Sequence, residues 1–164
     1  MIVRNESKII TRLLNSVLPI IDCYCICDTG STDDTIEVIT QFFKTHNISG
    51  IIFSEPFKNF GYNRTISLHK CCGLSDYVLL LDADMQLSIS STFNKSMLSS
   101  YDFLYICQGN LYTHYHCNIR IIKNNIQNSY KGVTHEYLLP ANNYTKFTHV
   151  TTDILFINDI GDGG

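Results

Sequence analysis

No run of lysines or arginines occurs anywhere in the sequence. Charged residues fill only 16 % of its 164 positions, with a formal net charge of −3. Nucleic acids and anionic membranes attract basic surfaces, so no nucleic-acid partner is expected. No segment reaches the roughly 18 consecutive apolar residues of a membrane span. No basic start leads into an apolar stretch, as a secretory signal would. Without such a signal the Asn-x-Ser/Thr triplets at Asn5, Asn47, Asn63, Asn94 and Asn143 carry no weight. None of the seven cysteines forms a C-x-x-C pair, which removes the usual zinc spacing. Their odd number and irregular placement do not suit a disulfide framework either. Seven free thiols in a reducing compartment are the expectation. Repeats and low-complexity linkers are also missing.

The chain is long enough for one hydrophobic core and too short for two comfortable domains, so residues 1–164 are read as a single domain. Its pattern alternates strand and helix, which predicts an α/β layer fold. Met1–Val3 reads as the tail of a strand. Ser7 caps a predicted helix from Lys8 to Leu18, with Ile10, Leu13, Leu14 and Val17 at helical spacing. Cys23–Cys27 and Ile51–Ser54 read as strands. Helices are predicted from Asp33 to His46, capped by Ser31 or Thr32, and from Tyr62 to Cys72. Tyr77–Leu81 is the most apolar run and suits a central parallel strand covered on both faces. Beyond it the alternation loosens. A short helix at Ser90–Ser100 and strands at Phe103–Cys107, Asn118–Lys123 and Ile154–Ile157 read as a mixed-sheet completion.

Four polar segments follow apolar ones, where open α/β sheets bind ligands. Asp82-Ala83-Asp84 ends the most apolar strand, and two carboxylates at this spacing suit a hard divalent cation. A solvated turn with a helix cap is the commoner reading of an isolated D-x-D. Asp28-Thr29-Gly30-Ser31-Thr32-Asp33 makes a turn in which Gly30 allows a close ligand approach. It also reads as an ordinary strand–turn–helix. Val3-Arg4-Asn5-Glu6-Ser7 opens the first helix. Asn59-Phe60-Gly61-Tyr62-Asn63-Arg64 opens another, and its Arg can present a planar donor fork to a diphosphate. His114-x-His116 is a candidate metal pair, weighed against two solvent-facing side chains.

These segments, in this order, resemble family 2 glycosyltransferases, in the bacterial and large-DNA-virus branch with a D-T-G-S-T-D turn. Arg120-Ile121-Ile122-Lys123 and Tyr130-Lys131-Gly132-Val133-Thr134-His135-Glu136 resemble later stretches of that branch. The resemblance implies a GT-A nucleotide-diphospho-sugar transferase fold, a Rossmann-like three-layer α/β/α sandwich with a mostly parallel central sheet. It implies transfer of a sugar from a nucleotide diphosphate sugar, by default a uridine one, to an acceptor hydroxyl with inversion. It implies Mn²⁺ or Mg²⁺ as cofactor. By position, Asn5 and Glu6 match residues near the nucleoside, and Asp28 the contact to the base. Asn63 and Arg64 match residues near the base and diphosphate, and Asp82 the ribose and metal shell. Asp84 matches the metal ligand, His135 a second contact to diphosphate or metal, and Glu136 the catalytic base. The acceptor, whether glycan, protein or lipid, is not specified. Relatives have a longer first strand and continue past residue 164, so an excerpt of a longer chain is expected, in the cytoplasm of its cell or of a viral host. The alternatives are a non-catalytic nucleotide-sugar-binding module and a sugar nucleotidyltransferase. The second lacks its Gly-rich phosphate loop here.

Overall fold

The computed structural model describes residues 1–163. Its first half is built from three parallel strands, β1 (Ile2–Val3), β2 (Cys23–Asp28) and β3 (Ser49–Ser54), in the order β1-β2-β3. Crossovers through α1 (Ile10–Val17) and α2 (Thr35–Thr45) join them. Ile10, Leu13, Leu14 and Val17 form the buried face of α1, as the helical spacing predicts. Both helices start later than expected. Ile9 and Asp34 stand at their N-caps, and neither side chain makes a capping bond. The side chains of Ser7, Ser31 and Thr32 therefore do not cap these helices. Instead Asp33 takes up the backbone N–H of Thr35 at 3.1 Å.

The second half is a mixed six-stranded sheet. β4 (Tyr77–Leu79), β5 (Met85–Ile89), β6 (Phe103–Asn110), β7 (His114–Lys123) and β11 (Leu155–Asp159) run in the order β4-β7-β6-β11-β5, and β10 (Phe147–His149) pairs with β6. A 3₁₀ helix at Lys95–Ser100 replaces the longer helix expected there. The small hairpin of β8 (Ser129–Lys131) and β9 (Tyr137–Leu139) stands apart, packed on α3 (Phe60–Lys70). Ile26, Ile39, Phe43, Leu104, Ile106, Leu155 and Ile157 belong to one buried cluster that spans both sheets. Among the described residues, no helix is long and apolar enough to cross a membrane.

Two expectations need correction. Tyr77–Leu81 is not a central strand covered on both faces: β4 stops at Leu79, is half-buried, and pairs only with β7, antiparallel. β1 pairs with β2, and among the described residues no ladder joins β4 to either of them. Nor are all seven cysteines free. Cys107 and Cys117 stand opposite each other on the β6–β7 ladder and form a disulfide, leaving five thiols. The pair stand ten positions apart in sequence, and only the hairpin register reveals that they meet.

Candidate functional site

Parallel β1 and β2 end side by side at Val3 and Asp28. The two turns that follow are knitted together. Asn5 takes a left-handed conformation (φ 57°) and donates its backbone N–H to Ser31 Oγ at 3.0 Å. Its side-chain Oδ1 accepts the Thr32 N–H at 2.7 Å. The Glu6 N–H reaches Thr35 Oγ1 at 2.7 Å, and Glu6 itself is 9 % exposed. Asp28, half-buried, accepts the Ser31 N–H at 3.0 Å. Hydrogen bonds from Ser7 and then Thr35 hold the Asp33 carboxyl well below its ordinary pKa. Asn5, Glu6 and Asp28 thus share one rim. Asn5 spends its side chain on the Asp28–Asp33 turn.

The loop before α3 gives a different result. Asn59 caps the helix by accepting the Tyr62 N–H at 2.8 Å. Asn63 is fully buried, with 0 % exposure. Its Oδ1 accepts the N–H groups of Lys58 (2.9 Å) and Asn59 (3.3 Å), and its Nδ2 donates to the carbonyls of Glu55 (3.3 Å) and Pro56 (3.1 Å). The structure thus turns Asn63 away from the expected ligand position and into the support of the 55–59 loop. A polar side chain with no exposed edge holds backbone; it does not meet a donor.

One helical residue later, Arg64 is at the centre of an ion cluster. Its Nη1 lies 2.6 Å from Asp82 Oδ1, and its Nε 2.7 Å from Glu136 Oε1. Arg120 approaches the other Asp82 oxygen at 3.8 Å and hydrogen-bonds Gln108 Oε1 at 2.6 Å through Nε. Burial pushes the Asp82 carboxyl up, but Arg64 and Arg120 outweigh it and hold its pKa below the ordinary value. Burial also pushes the Tyr130 hydroxyl up, to about 12, beside both guanidinium groups. The Glu136 loop reaches Arg64 because α3 and the 129–136 hairpin nearly touch. A Cβ on Gly61 would stand 2.2 Å from the Gly132 carbonyl oxygen. Tyr130 N–H donates to Thr65 Oγ1 at 2.8 Å, closing the same junction.

Asp84 lies outside this cluster. Burial raises its pKa, and Asp82, Asp159 and Asp162 add repulsion. Arg12 on α1 bridges to it: Nη2 bonds the Asp84 carbonyl oxygen at 3.1 Å, and the guanidinium takes both Asp162 oxygens at 2.9 and 2.6 Å. This gives Asp162 a fixed support that a Gly-rich tail does not suggest. His135 is exposed, with φ 57°. Among the described residues no group of three or more His, Cys, Asp or Glu side chains is arranged to hold a metal. Asp84 and His135 therefore do not form part of a preformed cage. The donor set still fits Mg²⁺ or Mn²⁺ of the kind bound through one or two carboxylates plus substrate phosphates. Among the described residues the Asp84 carboxylate makes no ion pair, although the Arg12 guanidinium stands near it, and a divalent cation would relieve the repulsion from Asp82, Asp159 and Asp162.

Sequence reasoning did not single out Arg12, Tyr130 or Arg120 as site residues. Arg120 had a signal, being the first residue of the Arg-Ile-Ile-Lys stretch. The β6–β7 register jumps there: Leu104 pairs with Ile121 and Tyr105 with Ile119, so Arg120 is the extra residue of a bulge. A bulge re-aims its side chain, here towards Asp82. A cavity of about 380 Å³ lies at the other, amino ends of the strands. Cys23, Tyr24, Tyr77, Val17 and Leu98 line it. It marks the gap between β2 and β4 and holds none of this chemistry.

Comparison with known proteins bears on the family and the fold. The sequence profile of "Glycosyl transferase family 2" matches residues 1–138. Two curated relatives, each called an uncharacterized glycosyltransferase, come from Rickettsia felis (30 % identical over 87 residues) and Rickettsia prowazekii (31 % over 87 residues). Each match covers 53 % of this chain but only 28 % and 27 % of the relatives' length. The crystal structure of S. aureus TarS 1-349 superposes with a TM-score of 0.50 at 23 % identity, over 69 % of this chain and 36 % of that one. That likeness concerns the fold alone, a GT-A α/β fold. With the family profile matched over most of its length, the chain belongs to glycosyl transferase family 2.

Proposed function

We propose that the chain binds a nucleotide diphosphate sugar, with uridine as the base, and transfers the sugar with inversion to an acceptor hydroxyl. One observation carries this reading. A compact Arg64–Asp82–Glu136 cluster, backed by Arg120, lies beside Asp84, a carboxylate repelled by Asp82, Asp159 and Asp162. In this reading Asp28 accepts a hydrogen bond from the base. Arg64 and Arg120 are placed to stabilise charge that builds on the departing diphosphate. Asp84 would hold Mn²⁺ or Mg²⁺, which, when bound, supplies Lewis-acid neutralisation of the leaving phosphates. His135 is a further contact on the diphosphate side.

Glu136 acts as the base. Arg64 engages its Oε1 at 2.7 Å and orients the carboxylate, so that Oε2 is the oxygen that takes the hydroxyl proton. The same contact favours a second reading, a donor-binding module without transfer, because the pair occupies half of the base. Two variants test the proposal. Asp84→Ala should lose Mn²⁺-dependent binding of UDP in calorimetric titration while keeping its fold. Glu136→Gln should bind UDP normally and transfer sugar about 10²–10⁴ times more slowly. Unchanged metal-dependent affinity in the first variant refutes the site. UDP binding with no sugar transfer or donor hydrolysis in the parent chain selects the second reading.

A further inference from the structure

The acceptor side of the site can be followed along the sheet. Met85, the residue after Asp84, pairs with Asp159 on β11, and Asn158 pairs with Gly109 on β6. On β7, Gln108 faces His116 and Asn110 faces His114. Side chains of directly paired residues share a face, and alternate residues along a strand do too. Met85, Asp159, Asn110, His114 and His116 therefore lie on one face, the one on which Gln108 meets Arg120. Two strand spacings, about 10 Å, separate β5 from β6. The β6–β7 turn thus rises beside Asp84, within reach of a molecule bound there.

This turn has an unusual chemistry. From Gly109 to Cys117 it carries no Asp, Glu, Lys or Arg. Tyr112 is 95 % exposed, and among the described residues no ring contact engages it. The turn nevertheless has a defined shape: Asn110 Oδ1 accepts the Tyr112 N–H at 2.9 Å, and the Thr113 N–H reaches the Asn110 carbonyl at 3.2 Å. His114 and His116 stand exposed side by side, ring centroids 6.5 Å apart. The disulfide Cys107–Cys117 ties the two strands below them.

We propose that the β6–β7 turn is the acceptor platform and that it takes an uncharged sugar. The proposal rests on the glycosyl-transfer reading above and adds to it the class and place of the acceptor. Tyr112 offers a flat, amphipathic ring for the apolar face of a pyranose. Each imidazole ring offers two nitrogens that can hydrogen-bond a sugar hydroxyl. A phosphorylated or acidic acceptor meets no Lys or Arg in the turn, and the exposed Asp159 beside it on the same face repels it.

The test is a titration of the 164-residue chain, labelled at tyrosine and histidine, with methyl glucoside, N-acetylglucosamine and lactose, followed by NMR. UDP with Mn²⁺ is titrated into parallel samples. At least one sugar should shift the Tyr112, His114 and His116 signals. Tyr112→Ala should weaken that sugar roughly five- to tenfold and leave UDP affinity unchanged. The fully exposed position makes loss of fold a minor concern, and the UDP titration checks it. No shift with any of the three sugars, shifts that survive Tyr112→Ala, or shifts produced only by phosphatidylcholine vesicles would overturn the platform. Sugar binding without UDP binding would uphold the platform and sink the transferase reading beneath it.

Discussion

Replacing Asn63 by Ala separates a supporting role from a ligand-binding one. Asn63 holds four backbone groups of the 55–59 loop with its amide. Truncation leaves two N–H groups and two carbonyls without that partner, in a position with no exposure. At about 1 kcal/mol net for each bond the loss is about 4 kcal/mol. Water entering the vacated space recovers part of it, so about 3 kcal/mol is expected. That is a large share of the ~5–15 kcal/mol that stabilises a domain. With a urea slope of about 2 kcal/mol/M, the midpoint should fall by about 1.5 M. Far-UV circular dichroism in urea measures it, and UDP titration of the folded variant supplies the second reading. A variant within about 0.5 kcal/mol of the parent that has lost UDP affinity would refute the reasoning and return Asn63 to the donor site.

Three further outcomes follow from the same structure. Gly61→Ala puts a methyl 2.2 Å from the Gly132 carbonyl oxygen, so the 129–136 hairpin must shift by about 1 Å, and transfer should fall about 10²-fold; a parent-like rate would show that the junction is not built this way. Lys123 first, then the backbone N–H groups of Lys146 and Thr145, hold the Asp102 carboxyl down at about 2. A lowered carboxylate pKa stabilises the fold above its unfolded value, and that share is lost as pH falls through the folded value. Up to about 2 kcal/mol should disappear between pH ~4 and ~2, and Asp102→Asn should flatten that stretch of the acid-denaturation curve. Alkylation in denaturant without reductant, read by mass spectrometry, should find five reactive thiols and, after reduction, seven; seven at the outset would remove the Cys107–Cys117 bridge.

Much of the frame was legible in the residues themselves. The helical spacing of Ile10, Leu13, Leu14 and Val17, the short apolar run from Cys23 and the polar turns after each apolar segment are local signals. They mark an α/β chain and the strand ends where ligands bind. The order of the D-T-G-S-T-D turn, the Asn59–Arg64 loop and the D-A-D motif was enough to reach the family. What neighbours cannot report was decided only by tertiary structure. Asn63 and Arg64 are adjacent, yet the turn of α3 sends one into the 55–59 loop and the other to Asp82 and Glu136. Arg120 needs a bulge to aim at Asp82, and Arg12 meets Asp162 across 150 residues of sequence. The Cys107–Cys117 bridge needs the hairpin register. Periodicity reports which face a residue occupies. Which charges and sulfurs meet depends on strand pairing and close backbone approach, and these are set by contacts far apart in the chain.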